Sequence, residues 1–243
     1  MASAEDKAKI ERAVYGIKLK QDPETRKYGW VNSRGDFKIR PQYDVAEDFS
    51  EGLAVVSQNN TWGFIDRTDK VVISFAYDSA DSFERGIARV SQNGKFGWIK
   101  PNGEAAIALD YEEAWPFVEG VARVKRNGKW GFINRDGGIV VALQYDTARH
   151  FSDGLALVSQ DGRYGWIDIN GRVVIALQFE EARPFSEGLA LVKANGKWGY
   201  VNAHGKIVIA LRYDEAQSFS DGVAEVKFGG KSFSIGKNGR VLT

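Results

Sequence analysis

Residues 129–134 read Lys129-Trp130-Gly131-Phe132-Ile133-Asn134, a glycine between two aromatic rings in a run of strand-forming residues. The aromatic-Gly-aromatic triplet returns every 34 residues without insertion or deletion, centred on Gly29, Gly63, Gly97, Gly131, Gly165 and Gly199. A weakened copy follows at Lys231-Ser232-Phe233. Because a fixed period is typical of repeat proteins, we predict about seven units of 34 residues, with these six glycines as structural lattice positions.

The residues within one copy indicate strands. In the copy that begins at Asp146, we predict strands at Leu155–Val158, Arg163–Asp168 and Val173–Leu177, with room for a short fourth strand or an extended crossover. Asp161-Gly162 is a signal for a two-residue type I′ hairpin. A helical repeat of the same period, the tetratricopeptide type, is excluded because helices do not tolerate several glycines in each copy.

Both faces of these strands carry apolar side chains. Tyr164 and Trp166 point to one face, whereas Gly165 and Ile167 point to the other. A sheet that is apolar on both faces has to be covered on both, and the neighbouring copies are the expected cover. We therefore predict that the glycine between the rings allows close approach of the next sheet.

The repeated pattern resembles the WG (KWG) repeat family over about residues 15–243. Residues 129–134 match its first half, and Tyr145–Val158 and Phe179–Val192 match the second half. The chain departs from the pattern at Ser232-Phe233, which replaces Trp-Gly, and at Thr68-Asp69, which replaces the Asn/Asp-Gly turn. The resemblance implies β-rich interaction modules that are widespread in bacterial proteins, without an active site common to the family.

Two all-β architectures fit about seven copies. We favour a β-propeller in which each copy is a blade, and the alternative is an open β-solenoid of stacked hairpins. A ring of this length predicts a radius of gyration of roughly 18 Å, whereas seven stacked sheets would extend to around 70 Å. Residues 1–14 are expected to form a short helix or arm, and residues 15–243 a single β domain.

Composition excludes several functions. The formal net charge of +1 gives no reason to expect nucleic acid as a partner, and no apolar run is long enough for membrane insertion. The absence of cysteine excludes thiol nucleophiles and Cys-ligated zinc, and His150 and His204 occupy different columns of the repeat. We therefore predict a non-enzyme without metal or cofactor, located in the cytoplasm, although export of a processed form stays open.

An acidic residue follows an aromatic one in six copies, and these six carboxylates are candidate metal ligands. The column is Asp44, Asp78, Glu112, Asp146, Glu180 and Asp214. Because Asp and Glu replace each other, tight metal geometry is not expected. We predict that each carboxylate accepts hydrogen bonds from the amides of the Phe-Ser-Glu-Gly turn that follows it.

Candidate binding residues are those that vary while the lattice around them stays fixed. One column reads Glu47, Asp81, Trp115, Arg149, Arg183 and Gln217, and the adjoining column includes His150. A third varied column reads Val55, Arg89, Arg123, Leu157, Leu191 and Glu225. If copies are neighbours in space, Trp115, Arg149 and Arg183 form an aromatic and basic patch with His150 at its edge, and Arg89 and Arg123 are further candidate contacts.

Three functions follow from these observations. The first is a non-catalytic scaffold that binds another protein through one face of the repeat array. The second is a lectin-like module that holds a glycan or a cell-wall fragment on Trp115. The third is a designed or symmetrised repeat protein without a native ligand, an idea that the varied columns weaken.

Overall fold

The computed structural model describes residues 16–242, and every regular element among them is a β-strand. The predicted helix or arm at residues 1–14 lies outside the described residues. Numbered along the chain, the strands are β1 Ile17–Gln21, β2 Tyr28–Asn32, β3 Phe37–Tyr43, β4 Val45–Ala46, β5 Ala54–Gln58, β6 Thr61–Ile65, β7 Val71–Tyr77, β8 Ser79–Ala80, β9 Ala88–Gln92, β10 Lys95–Ile99, β11 Ala105–Tyr111, β12 Glu113–Ala114, β13 Val121–Arg126, β14 Lys129–Asn134, β15 Ile139–Tyr145, β16 Thr147–Ala148, β17 Leu155–Gln160, β18 Arg163–Asp168, β19 Val173–Phe179, β20 Glu181–Ala182, β21 Leu189–Ala194, β22 Lys197–Asn202, β23 Ile207–Tyr213, β24 Glu215–Ala216, β25 Val223–Phe228 and β26 Lys231–Gly236.

The described strands form seven antiparallel sheets in two compact units, one ending at Ala114 and the other beginning at Trp115. In the first unit the sheet orders are β1-β2-β3, β4-β5-β6-β7 and β11-β10-β9-β8. In the second unit they run β13-β14-β15, β16-β17-β18-β19, β20-β21-β22-β23 and β24-β25-β26. These up-and-down sheets confirm the predicted all-β repeat of seven propeller-type blades, and the short fourth strand is the two-residue element such as β16.

The hairpin between the second and third strand of a copy has the predicted turn. Asn127 and Gly128 both have positive φ, at 53° and 72°, which is the backbone of a type I′ turn. Asn59 and Asn60 reach the same region, at 52° and 62°, without a glycine, since asparagine tolerates positive φ better than most side chains. The turn residues therefore fix the register of each hairpin, in which Gly131 pairs with Val124.

The glycine between the two rings is required for a reason other than the predicted one. A Cβ on Gly131 would lie 2.6 Å from the carbonyl oxygen of Val141, which belongs to β15 of the same sheet. The register between β14 and β15 shifts on both sides of Phe132, so the bulged backbone of β15 crosses over the glycine. The expectation that the next sheet approaches this glycine is wrong, because the backbone in contact is the adjacent strand.

Neighbouring copies cover each other's sheets, as predicted. In the second unit, Phe132 and Tyr145 of one copy share an apolar cluster with Phe151, Val158 and Ile167 of the next, all of them buried. The Phe132 and Phe151 ring centroids are 4.6 Å apart with the planes tilted by 56°. The core is thus a series of clusters between successive sheets, which leaves the loops at the sheet ends on the surface.

The repeated carboxylates are structural, but they bind a different turn from the one predicted. Asp146 accepts a hydrogen bond from the amide of Asp161 at 2.7 Å, in the hairpin between β17 and β18. Its other oxygen lies 2.5 Å from Nζ of Lys129, in the preceding copy. Lys129 and the hairpin amides hold the pKa of this carboxyl below its ordinary value. The carboxylate therefore ties one copy to the next, and the amides come from the Asn/Asp-Gly hairpin instead of the Phe-Ser-Glu-Gly turn.

Candidate functional site

Trp115 differs from the other six tryptophans, all of which lie in described residues. Trp30, Trp98 and Trp166 are buried, whereas 41% of Trp115 is exposed. The loop of residues 115–120 that precedes β13 carries it, and its backbone amide donates a hydrogen bond to the carbonyl of Arg123 at 3.0 Å. The fold thus presents a large aromatic ring to solvent on a backbone that is fixed by β13.

Arg123 supports the Trp115 ring from inside the protein. It projects from β13 and is only 7% exposed. Its guanidinium carbon lies 4.7 Å from the ring centroid of Trp115 and 4.6 Å from that of Trp130. Nη1 also donates a hydrogen bond to the carbonyl of Ala148 at 2.6 Å. The two indole rings and the carbonyl hold the buried cation in place, so that Arg123 positions Trp115.

The His150 ring packs against the same indole. The two ring centroids are 5.3 Å apart and the planes meet at 78°, a T-shaped pair. Burial, then the charges of Arg123 and Arg149, hold the pKa of His150 below its ordinary value. The ring is therefore neutral at neutral pH and sits in a region of positive potential. Trp115, Arg123 and His150 form one connected cluster, as the repeat spacing predicted for Trp115 and His150.

The other predicted site residues lie at equivalent points of neighbouring copies. Arg149 and Arg183 are exposed, and each donates its backbone amide to the second strand of its own copy, Arg149 to Leu157 at 2.8 Å and Arg183 to Leu191 at 2.9 Å. Arg89 lies in the first unit, where it pairs with Asp81 at 2.8 Å. It is thus part of the first unit's own structure.

The third varied column lies inside the protein instead of on its surface. Val55, Leu157 and Leu191 are buried, and Arg89 donates to the Ala114 carbonyl at 2.6 Å just as Arg123 donates to Ala148. Glu225 is the exposed member. Arginine therefore replaces an aliphatic core residue at two positions of this column, and Arg123 lies beneath the exposed Trp115 ring.

Sequence reasoning missed the residues that complete the cluster. Trp130 is a lattice residue, yet it forms the second aromatic wall around Arg123, and Lys125 lies 5.5 Å from its centroid on β13. The sequence signal for this cluster was Arg123, because the equivalent position is aliphatic in other copies, as Val55 and Leu157.

Other features of the described residues offer less chemistry. No group of three or more His, Asp or Glu side chains within residues 16–242 is arranged to hold a metal ion. No helix in that range is long and apolar enough to cross a membrane. A cavity of about 320 Å³ in the second unit is lined by Phe179, Asn195, Lys197 and Ile207 among others. Lys197 in this cavity forms an ion pair with Asp214 at 2.5 Å. The Trp115 cluster is therefore the better candidate for a binding site.

A known family of repeats matches the sequence over most of its length. The family described as WG containing repeat matches six consecutive segments, residues 28–62, 62–96, 96–130, 130–164, 164–198 and 198–231. The segments follow one another without a gap and have the same period as the sheets, but each runs from the strand of the aromatic-Gly-aromatic triplet in one sheet to the equivalent strand of the next. No curated protein matches the sequence.

Several solved structures are distantly similar. A eukaryotic initiation factor is 9% identical with a TM-score of 0.46, covering 93% of this chain and 72% of that one. Hsv2p of Kluyveromyces lactis is 9% identical with a TM-score of 0.40, covering 90% and 88%. The dihydro-heme d1 dehydrogenase NirN is 11% identical with a TM-score of 0.39, covering 94% and 66%.

Proposed function

Because the chain belongs to the WG-containing repeat family, we propose that it is a non-catalytic scaffold that binds another protein. The binding surface is the row of loops at one end of the sheets in the second unit. We name it the Trp115 row and define it by Trp115, Arg149, His150 and Arg183. The lattice holds these loops in place, and the residues of the row are those in which the copies differ.

The observation that carries this proposal is the exposed Trp115 ring on its buried Arg123 support. The cation between the two indoles and the contact of His150 restrict the ring before any partner arrives. A ring that is ordered in the free protein loses little conformational entropy on binding. Tryptophan and arginine are also the residues that contribute most often to protein interfaces. Trp115 therefore has the properties of an anchor residue.

Photo-cross-linking in cells that produce the protein tests the proposal. Benzoylphenylalanine placed at Arg149 should capture one defined protein, whereas the same group at Gln144, exposed on β15, should not. Addition of Trp115→Ala to the Arg149 probe should remove the product. Equal cross-linking from Arg149 and Gln144, or a product that survives Trp115→Ala, contradicts the proposal.

A glycan is the second candidate, favoured by the exposed indole alone. Sugar rings stack on flat aromatic faces, and Trp115 presents such a ring. A glycan array probed with the unmodified protein and with Trp115→Ala separates the two candidates. A glycan signal that depends on Trp115 supports the lectin-like function, and an array without signal removes it.

A further inference from the structure

Two basic side chains of the Trp115 row, Arg149 and Arg183, are not paired with a carboxylate of the described residues. Within residues 16–242, the guanidinium groups of Arg149 and Arg183 form no ion pair and no side-chain hydrogen bond, and both are exposed. The same column carries Glu47 and Asp81 in the first unit. Glu47 accepts a hydrogen bond from Ser82, and Asp81 pairs with Arg89. The acidic members of the column are therefore engaged internally, whereas its basic members face solvent.

The loops of the row follow one another as neighbours. Trp115 contacts His150, 35 residues on in the next copy. Two steps further along the unit, between the Arg183 loop and the loop that follows it, the hydroxyl of Ser186 donates to the carbonyl of Phe219 at 2.7 Å, and Glu187 accepts from the amide of Gly222 at 3.1 Å. Successive loops thus touch at the same end of the sheets, and this arrangement places Trp115, Arg149 and Arg183 on successive loops of one surface.

The carboxylates on the loops of the Trp115 row form no ion pair with Arg149 or Arg183 among the described residues. Glu187 is held by the Gly222 amide and by Lys237 at 3.0 Å. Glu119 and Asp153 lie at the turn tips of the same loops, with φ of 51° and 52°, four residues after Trp115 and Arg149. Burial, and after it the charges of Arg123 and Arg149, hold the pKa of the neighbouring His150 below its ordinary value.

From this arrangement we infer that the partner presents an acidic segment to the Trp115 row, with carboxylates on Arg149 and Arg183 and an apolar side chain against Trp115. A guanidinium binds a carboxylate through two parallel hydrogen bonds, which gives both strength and orientation. An apolar residue beside the carboxylates covers the exposed indole, and water is then excluded from the ion pairs. The inference rests on the proposed function and specifies the chemistry of its partner.

Selection from a random dodecapeptide library displayed on messenger RNA tests this chemistry directly. The bait is the whole protein, unmodified or with Arg149→Glu and Arg183→Glu together. A matched control carries Arg163→Glu and Lys231→Glu, which change the net charge by the same amount. Both residues are exposed and begin β18 and β26, next to the hairpin turns and away from the loops of the Trp115 row. Circular dichroism melting verifies that all three fold.

We expect the unmodified protein and the control to select acidic peptides that contain an apolar residue. These peptides should bind the Arg149/Arg183 variant at least about tenfold more weakly, because like charges then face each other, and that variant should select basic peptides. Selected peptides without acidic bias, an unaltered affinity in the variant, or no selected peptide at all would overturn the inference.

The same experiment separates this inference from the proposed function. Peptides that lose binding in Trp115→Ala but show no acidic bias leave the scaffold function in place and contradict the acidic partner. Peptides whose binding changes neither in Trp115→Ala nor in the Arg149/Arg183 variant contradict both.

Discussion

The guanidinium carbon of Arg123 lies 4.7 Å from the ring centroid of Trp115, so a nearly buried cation supports an exposed aromatic ring. The same guanidinium carbon lies 4.6 Å from the ring centroid of Trp130. The equivalent residues are Arg89, which pairs with Asp81 at the position that corresponds to Trp115, and Leu157 and Leu191, which are buried aliphatic side chains. The exposed aromatic ring of Trp115 is therefore accompanied by a change in the core, where Arg123 stands at a position that is leucine in two other copies.

Arg123→Leu should release the Trp115 ring without unfolding the protein. Leucine occupies the same position in two other copies, and an apolar residue in place of a buried charge is often neutral in stability. We expect the melting temperature to change by only a few degrees. The 5-fluorotryptophan resonance of Trp115, assigned with Trp115→Phe, should shift towards the random-coil position. A large drop in melting temperature together with an unmoved resonance would contradict the account.

Gly131→Val should destabilise the protein far more than Arg149→Ala. The added Cβ would lie 2.6 Å from the Val141 carbonyl oxygen. This oxygen belongs to the backbone of a paired strand, which cannot move aside as a flexible side chain can. Such overpacking costs roughly 1–3 kcal/mol or more, whereas an exposed substitution usually stays within about 0.5 kcal/mol. Urea denaturation of both variants measures the difference, and equal midpoints would refute the packing explanation.

Asp146→Asn should reduce stability at neutral pH but not in acid. The folded-state pKa of Asp146 is below its ordinary value of 3.8, so its contribution to stability is complete above that value. It is lost as the pH falls through the lowered folded-state pKa. We therefore expect the variant to melt below the unmodified protein at pH 7, and the difference to shrink as the pH falls below the ordinary pKa of the carboxyl.

The control for this prediction is Asp153→Asn, a substitution at an exposed turn that carries no contact with Lys129. It should leave the melting temperature nearly unchanged at both pH values. A constant difference between Asp146→Asn and the unmodified protein across the acid range would show that the carboxylate charge is not what stabilises the fold.

His150 should titrate below 6.5, its ordinary pKa, with burial as the main cause and the two arginines as further causes. Because the neutral ring is the favoured folded form, His150 lowers stability as the pH falls from about 6.5 towards its folded-state pKa. Proton NMR titration, with the resonance assigned by His150→Gln, measures the value. Arg149→Ala should raise the pKa of His150, because one of the charges that lowers it is then removed. A pKa that is the same in Arg149→Ala and in the unmodified protein would contradict the effect of Arg149 on His150.

Repeat spacing was sufficient to predict the strands, the hairpin turns and the meeting of Trp115 with His150. All of these depend on local residues and on a fixed period. The role of Gly131 was not predictable, because the bulge in β15 that crosses over it has no sequence marker of its own. The hairpin partner of Asp146 depends on how β16 pairs with β17, which places Asp146 beside Asp161. The burial of Arg123 was also hidden, since arginine is rarely buried without partners supplied by the tertiary structure.

The most direct test of the account is the dissociation constant of the partner captured at Arg149, measured by isothermal titration with Trp115→Ala and with Gln144→Ala. An interface anchor contributes about 2 kcal/mol or more, so Trp115→Ala should weaken binding by roughly thirtyfold or more. Gln144→Ala, on the exposed face of β15, should change it by less than about twofold. Equal dissociation constants for the two variants would contradict the claim that the Trp115 row is the binding surface.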